Sequence, residues 1–383
     1  MNMRTEVVRT ASRMAEVGPA WDILWSRSEQ SVFQSHGWID AWWNSRRAGD
    51  MSRLCVGLSW AGDELVAVMP FATRWHRGVR VLEWAAKDCS DYCDALVDPE
   101  FDDGWRALGD VWAAVAAFGG FDIAYLSHVR PDAMICKMLD RRRQGVTLKP
   151  GRRSARSLQV KNDKPDGHLW FRGLSKKARN NHTRGLRIVG ETGPVKVTVS
   201  EPGDAIEAVV ERMIQLKQQW LVDTSQTNQI LNNDAAILRS LVKELARQRV
   251  LRVFSIHCGD VLVAGSLNIV SGDTGKGDIG AGTRMQAFFA AYDPRFDRAS
   301  PGTLVMVEYL MWAFDKGIAE VDFLCGEEEY KFKFANKQVD LVSYVGAKTL
   351  MGRLALAISD RLDQKRDAEV RTEIAQPGRA VEV

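Results

Sequence analysis

One order of secondary structure runs through this chain twice, and that constrains its fold more than any single motif. In the first half, Ala20–Trp25 and Trp38–Arg46 place tryptophan and isoleucine on one helical face. Leu54–Leu58, Glu64–Phe71 and Val79–Trp84 have strand patterns, with Gly62-Asp63 as the turn between the first two. A helix over Trp105–Phe118 ends at Gly119-Gly120, and Ile123–Leu126 follows as a strand. The second half has a strand at Val195–Val199 and helices at Ala205–Trp220 and Ala235–Gln248. Strands at Leu251–His257, Val261–Val270 and Gln286–Tyr292, a helix at Thr303–Lys316 and a strand at Val321–Leu324 complete it. No fixed-period repeat accompanies this shared order, which points to an old duplication of one α/β unit.

The 383-residue length fits two domains better than one core. With 45% apolar and 26% charged residues the composition is that of a soluble protein, and no apolar run nears the ~18 residues of a membrane span. The first residues lack a signal-peptide core, so a cytoplasmic location, with peripheral contact at the inner membrane as an extension, is expected. The six cysteines are scattered and match no zinc spacing, and no metal site is expected. Charge is uneven: Lys137–Arg187 holds 16 Lys and Arg against 3 Asp, a local +13, while the other residues sum to −10. Such a block marks an anionic ligand, a membrane surface or tRNA, or else a solvated face. Its Pro150-Gly151 and Asp163–Gly167 turns place a boundary there, giving units 1–150 and 151–349. A basic helix over Ser175–Ile188 opens the second unit. In the 350–383 tail, Leu350, Leu354, Ile358 and Leu362 form one apolar stripe expected to pack on the body or a partner, before a disordered Gln376–Val383.

Function concentrates in Tyr292–Lys333. Ser300-Pro301-Gly302-Thr303 opens a helix, where free N–H groups and the dipole suit a phosphate or pyrophosphate; an ordinary capped helix is the alternative. Asp322 ends an apolar strand, Glu327-Glu328-Glu329 follow, and Tyr330-Lys331 come next in a strand that puts Lys331 and Lys333 on one face. Crowded carboxylates raise one another's pKa toward that of a base, though a triplet also suits a solvated turn.

The order Pro70, Arg77-Gly78, Asp91-Tyr92, Tyr292-Asp293-Pro294, Ser300-Pro301-Gly302, Asp322-Phe323 and Gly326–Lys331 resembles the FemAB-like branch of the GNAT acyltransferases associated with cellulose and other exopolysaccharide synthesis. The resemblance implies tandem GNAT-like domains, each a mixed, twisted sheet flanked by helices. It implies transfer from acetyl-CoA or another acyl-CoA, or from aminoacyl-tRNA. The superfamily's Q/R-x-x-G-x-G/A segment is replaced by Arg298-Ala-Ser-Pro-Gly-Thr303.

Within it, Asp322, Glu327 and Tyr330 are the candidate proton-handling residues. Ser300, Gly302, Thr303 and Arg295 would hold the donor, Arg295 by a bidentate grip or only in a surface ion pair. Tyr292, Trp220, Lys217, Lys331, His36 and Trp38 would line the acceptor site, and core packing is the competing reading for both tryptophans. No cysteine has an activated setting, so direct transfer to a sugar or envelope-precursor amine is expected. The alternatives are an aminoacyl-tRNA-dependent transferase and a non-catalytic, nucleotide-responsive module of polysaccharide synthesis. The sequence does not fix the oligomeric state.

Overall fold

The computed structural model describes residues 3–28, 30–139, 146–226, 228–231, 234–272 and 282–361, without the side chains of residues 152 and 153. The first half runs β1 (Met3–Val8), α1 (Ala11–Arg27), α2 (His36–Asn44), β2 (Arg53–Ala61), β3 (Glu64–His76), β4 (Val79–Trp84), β5 (Leu96–Val97), α3 (Gly104–Phe118), β6 (Ile123–Val129), α4 (Met134–Leu139) and β7 (Lys149–Lys161). Helices α5 (Gly167–Gly173) and α6 (Lys176–Val189) lead into the second half. There follow β8 (Val195–Val199), α7 (Glu207–Thr224), α8 (Ala236–Arg247), β9 (Leu251–Cys258), β10 (Val261–Ser271), β11 (Arg284–Tyr292), α9 (Pro301–Asp315), β12 (Glu320–Cys325), α10 (Glu329–Phe332) and β13 (Lys337–Ala347).

The repeated rhythm is therefore real, and local signals set most of its boundaries. Thr10 and Ser35 cap α1 and α2 by accepting from Arg13 N and Trp38 N, satisfying otherwise orphaned helix donors. Gly62, at φ 63°, makes the β2–β3 turn that a residue with a Cβ would strain.

All the described strands join one sheet, in the order β1-β2-β3-β4-β6-β13-β7-β12-β11-β10-β9-β8, with β5 paired to β3. Each half is a run of antiparallel strands closed by one parallel pair, β4 with β6 and β11 with β12. The last strand of each half then crosses over. β7 lies against β12, and β13 lies against β6 and β7. The boundary expected at residues 150/151 falls inside β7, a strand at the middle of the sheet, so the halves share one structure.

Among the described residues, three apolar clusters cover the sheet. One face carries α1, α2, α7 and α8 over a core common to both halves, including the wholly buried Trp21 and Trp38. The other face is divided: α3 and α4 cover the first half, and α5, α6 and α9 cover the second. Burying a large apolar side chain contributes roughly 1.5–3 kcal/mol, so the common core ties the halves strongly. The two helical pairs also touch directly, Ser45 Oγ lying 2.6 Å from Ser240 Oγ.

The chain is helical again over 350–361, but Leu350, Leu354 and Ile358 are 80%, 63% and 51% exposed. The stripe thus turns away from the described body rather than packing on it. Leu362 and Gln376–Val383 lie outside the described residues. No helix among the described residues is long and apolar enough to cross a membrane.

Candidate active site

The site begins where a parallel pair comes apart. β11 and β12 pair only at Arg284↔Glu320, Met285↔Val321 and Gln286↔Asp322. Beyond that point β11 runs on to Tyr292, while β12 bulges away and next pairs with β7 at Cys325↔Ser157. Leu324 sits in the bulge at φ 59°, a left-handed conformation that costs a bulky residue energy and so marks an imposed geometry. Open α/β sheets bind ligands in such crevices beyond the strands' carboxyl ends. At its base Gln286 is buried, with Oε1 unpaired among the described residues. A buried orphan acceptor of this kind is normally completed by water or ligand.

Asp322 anchors the crevice wall. It is 3% exposed and takes hydrogen bonds from Tyr92 Oη (2.5 Å), Ser157 Oγ (2.8 Å), Gln159 Nε2 (3.0 Å) and Leu324 N (2.8 Å). Burial raises its pKa, while the bond from Tyr92 and then the other three pull the other way. Tyr92 Oη also lies 2.6 Å from Ser157 Oγ, so the two hydroxyls and both Asp322 oxygens close a ring of three side chains. The Tyr92 and Ser157 hydroxyl protons, with those of Gln159 Nε2 and Leu324 N, all point at the two Asp322 oxygens. Asp322 thus has no free edge for substrate. It fixes the geometry by joining the first half's Tyr92 to β7 and β12.

The accessible carboxylate is its neighbour across the halves, Asp91. Asp91 is half-buried, and its Oδ1 accepts from Cys325 N at 3.0 Å. Burial pushes its carboxyl up to about 6, with the charge of Asp322 adding and the Cys325 bonds and Lys331 opposing. A carboxyl poised near neutrality at a cleft has the profile of a general base. Cys325 itself is no nucleophile: burial, then Asp91, holds its thiol far above the usual range.

After Gly326, at φ 133°, the chain does not continue as a strand. The bond from Lys331 N to Glu328 O closes a turn, and α10 replaces the expected strand. Lys331 and Lys333 therefore do not share a face: Lys331 is 5% exposed and Lys333 is exposed. Lys331 Nζ donates to Cys325 O at 3.0 Å and pairs with Glu328 at 2.9 Å. Glu327 and Tyr330 are exposed; partial loss of water around the Tyr330 hydroxyl, then the charge of Glu328, pushes that phenol up to about 12. Lys217, on α7, feels the charge of Glu328 and lies 3.9 Å over the Trp220 ring, so this pair flanks the same acidic turn.

The far end of β11 leads to the start of α9. Ser300, at φ 53°, precedes Pro301 and makes no side-chain cap. A Cβ on Gly302 would meet nothing nearer than the Tyr292 ring at 3.6 Å, so the backbone there is open to a ligand. Thr303 N is satisfied by Ser300 O. The basic helix α6 runs beside this start: Gly185 approaches so closely that a Cβ would lie 2.7 Å from Ala299 O. Arg295 is not free for a ligand, because its guanidinium grips Asp293 (2.6 Å) within its own turn. His36 and Trp38 are also not at the cleft by their contacts. His36 Nε2 lies 3.1 Å from Met14 O, and the wholly buried Trp38 donates to Ser90 Oγ at 2.9 Å. Trp38 is core, though its bond braces the residue beside Asp91. Among the described residues no group of His, Cys, Asp and Glu could hold a metal.

Sequence reasoning noticed Asp91-Tyr92 only as part of an order of motifs and missed Ser157, Gln159 and Gln286. Only the crossing of β7 gives the first two their meaning, and no local signal announces it.

Residues 176–332 match the family model of the GNAT acetyltransferase domain. No curated protein matches the sequence. Among solved structures the chain resembles FemX, with a TM-score of 0.57 at 9% identity over 91% of this chain and 97% of that one. It resembles the C-terminal domain of a putative lysylphosphatidylglycerol synthetase from Agrobacterium fabrum, with a TM-score of 0.53 at 12% identity over 91% and 96%. A conserved protein of unknown function from Bacteroides thetaiotaomicron gives 0.50 at 11% over 90% and 100%. At these identities the likeness is one of fold. The fold is α/β with two halves that share one order of elements, and the segment matched by the GNAT model lies in the second half and contains β11, β12 and α9.

Proposed function

We propose, taking the chain as a tandem GNAT-fold protein, that its second half transfers an acyl group, acetyl first, from acyl-CoA to an amine. The acceptor class we favour is an amino sugar or related exopolysaccharide or envelope precursor, met in the cytoplasm or at the inner face of the inner membrane. One observation carries the reading: a half-buried carboxyl with a pKa near 6, Asp91, stands beside a crevice whose other end is an uncapped, open helix start.

The donor's diphosphate would sit at Gly302, between the hydroxyls of Ser300 and Thr303, with the α6 cations alongside. Its arm would follow β11 along Tyr292 toward Gln286, a path of roughly 20 Å at strand rise. Asp91 accepts the amine proton as the N–C bond forms and the C–S bond breaks; solvent returns a proton to the CoA thiolate. Lys331 has three donors, of which two are used. The third would meet the carbonyl oxygen as it turns negative. Tyr330 stays protonated at neutral pH and would hydrogen-bond the departing sulfur, while Glu327, Lys217 and Trp220 would face the acceptor.

A second reading keeps this geometry but uses aminoacyl-tRNA as donor. The exposed Lys176, Lys177, Arg184 and Arg187 of α6, next to the α9 start, favour it, as does the likeness to FemX. Incubating the full chain with labelled acetyl-CoA or charged tRNA and amino-sugar acceptors separates the two. Amine-dependent release of CoA thiol supports the first. Label moving only from tRNA supports the second, and no transfer from either ends both.

A further inference from the structure

Outside the β11–β12 crevice, a cavity of about 380 Å3 lies between the first half and α8. Its wall combines the end of α2, the following loop, Arg74 of β3, Asp88 and Cys89, and Ile237 of α8. The proposed transfer chemistry makes no use of it.

The charges of this wall do not cancel. Arg74 and Lys87 are balanced by Glu83 and Asp88: Arg74 Nε lies 3.0 Å from Glu83, Arg74 also pairs with Asp88, and Lys87 lies 3.4 Å and 3.3 Å from the same two carboxylates. Asp50 stands 3.5 Å from Arg46. Arg46 lies flat on the Trp43 ring, 3.2 Å from its centroid, and donates to Trp43 O at 2.9 Å. Arg47 is exposed in the lining and has no ion-pair partner among the described residues. One cation, Arg47, is left over, and it lines the same pocket as Arg46 on its tryptophan shelf. Burial lowers the Arg46 pKa; Asp50 opposes this and Arg74 adds to it, so a bound anion would stabilise the buried cation.

We propose that this pocket binds a small phosphate monoester, its phosphoryl group held by Arg46 and Arg47 and its body against Trp42 and Ile237. Guanidinium forks match phosphoryl oxygens, and a dianion meets the surplus charge better than a single carboxylate. The volume lies at the low end for small-molecule sites, which suits a sugar phosphate or mononucleotide and not the larger CoA donor. The wall residues Cys89 and Asp88 lie two and three residues before Asp91, so the site is built into the base of the loop that carries it.

The test is calorimetric titration of the full chain at about 0.15 M salt, where weak surface ion contacts are screened. The titrants are glucose 6-phosphate and AMP, with glucose, adenosine and citrate as controls. One saturable site for at least one phosphate ester is expected, with no heat from the neutral parents. Which ester binds more tightly tells sugar from nucleotide. Arg47→Glu, at an exposed position, should weaken binding roughly tenfold or more, about 1.4 kcal/mol. Gly302→Trp, which blocks the α9 start, should leave it intact. Absence of saturable binding, equal or tighter binding of citrate, indifference to Arg47→Glu, or loss in Gly302→Trp would each overturn the proposal. None of these outcomes depends on whether the chain transfers acyl groups.

Discussion

The two halves share an order of elements and differ at the helix that follows the meander. In the first half a Cβ on Gly104, at the start of α3, would lie 2.3 Å from Val97 Cγ1, because β5 packs across the helix start. In the second half the corresponding Gly302 has open space to 3.6 Å. The same glycine thus serves packing in one copy and ligand approach in the other. The loop that closes the first copy also holds Asp91-Tyr92, which it delivers into the second. One half has given up its own crevice and completes its partner's.

The carboxylates of that loop offer the largest test. Asp91 and Asp94 are both pushed up to about 6 by burial, yet Asp94 is sealed by bonds from Ala95, Met134 and Ile135 N. Asp91→Asn should slow transfer ~10²–10⁴-fold, and the wild-type rise in rate through pH 6 should vanish. Asp94→Asn should leave that limb in place and act on stability. A carboxyl raised from about 4 unfolded to about 6 folded stabilises fully below pH 4, and this is lost as pH rises through 6. Denaturant melts of Asp94→Asn should accordingly lose a pH slope worth roughly 2–3 kcal/mol. A rate limb that survives in Asp91→Asn would remove Asp91 as the base.

The paired glycines come next. Gly302→Trp should abolish the thermal shift given by CoA esters, and lower transfer by about 100-fold at fixed donor, in a normally folded protein. Gly104→Ala should do the reverse, costing ~1–3 kcal/mol by overpacking with CoA binding retained in the folded fraction. If both variants behaved alike, the contrast between the two helix starts would be false.

Smaller effects follow at the seam. Tyr92→Phe deletes the donor to a buried carboxyl and should cost about 1.5–3 kcal/mol in urea unfolding, as one cooperative transition. Two separate transitions would show that the halves melt independently. Ser45→Ala, on the opposite helical layer, should cost only about 0.5–1.5 kcal/mol by the same measurement.

Most strands of the meanders were legible to within a few residues, because period-two patterns and turn glycines are local signals. β7 was not. Its Lys, Arg and Pro-Gly content looks like a linker, and the polar Ser157 and Gln159 look wrong for a central strand. Both are buried because Asp322, from a strand over 160 residues away, satisfies them. The acidic turn was found, but its shape was not, since Gly326 breaks the strand that Tyr330 and Lys331 were expected to join. Asp91 had no signal of its own: its altered acidity comes from burial beside Cys325.

The crossing of β7 and β13 also bears on how the chain is made. β6 gains its outer neighbour only when β13 exists, with Val342 opposite Val129 and Ala347 opposite Ile123. β7 has both of its neighbours, β12 and β13, at the far end of the chain. During synthesis the first half must therefore wait, with an unpaired edge that invites misjoining, until β13 at the end of the second half has been made. The two copies can drift apart in duty, but neither can be shed or expressed alone without leaving the other's sheet unfinished.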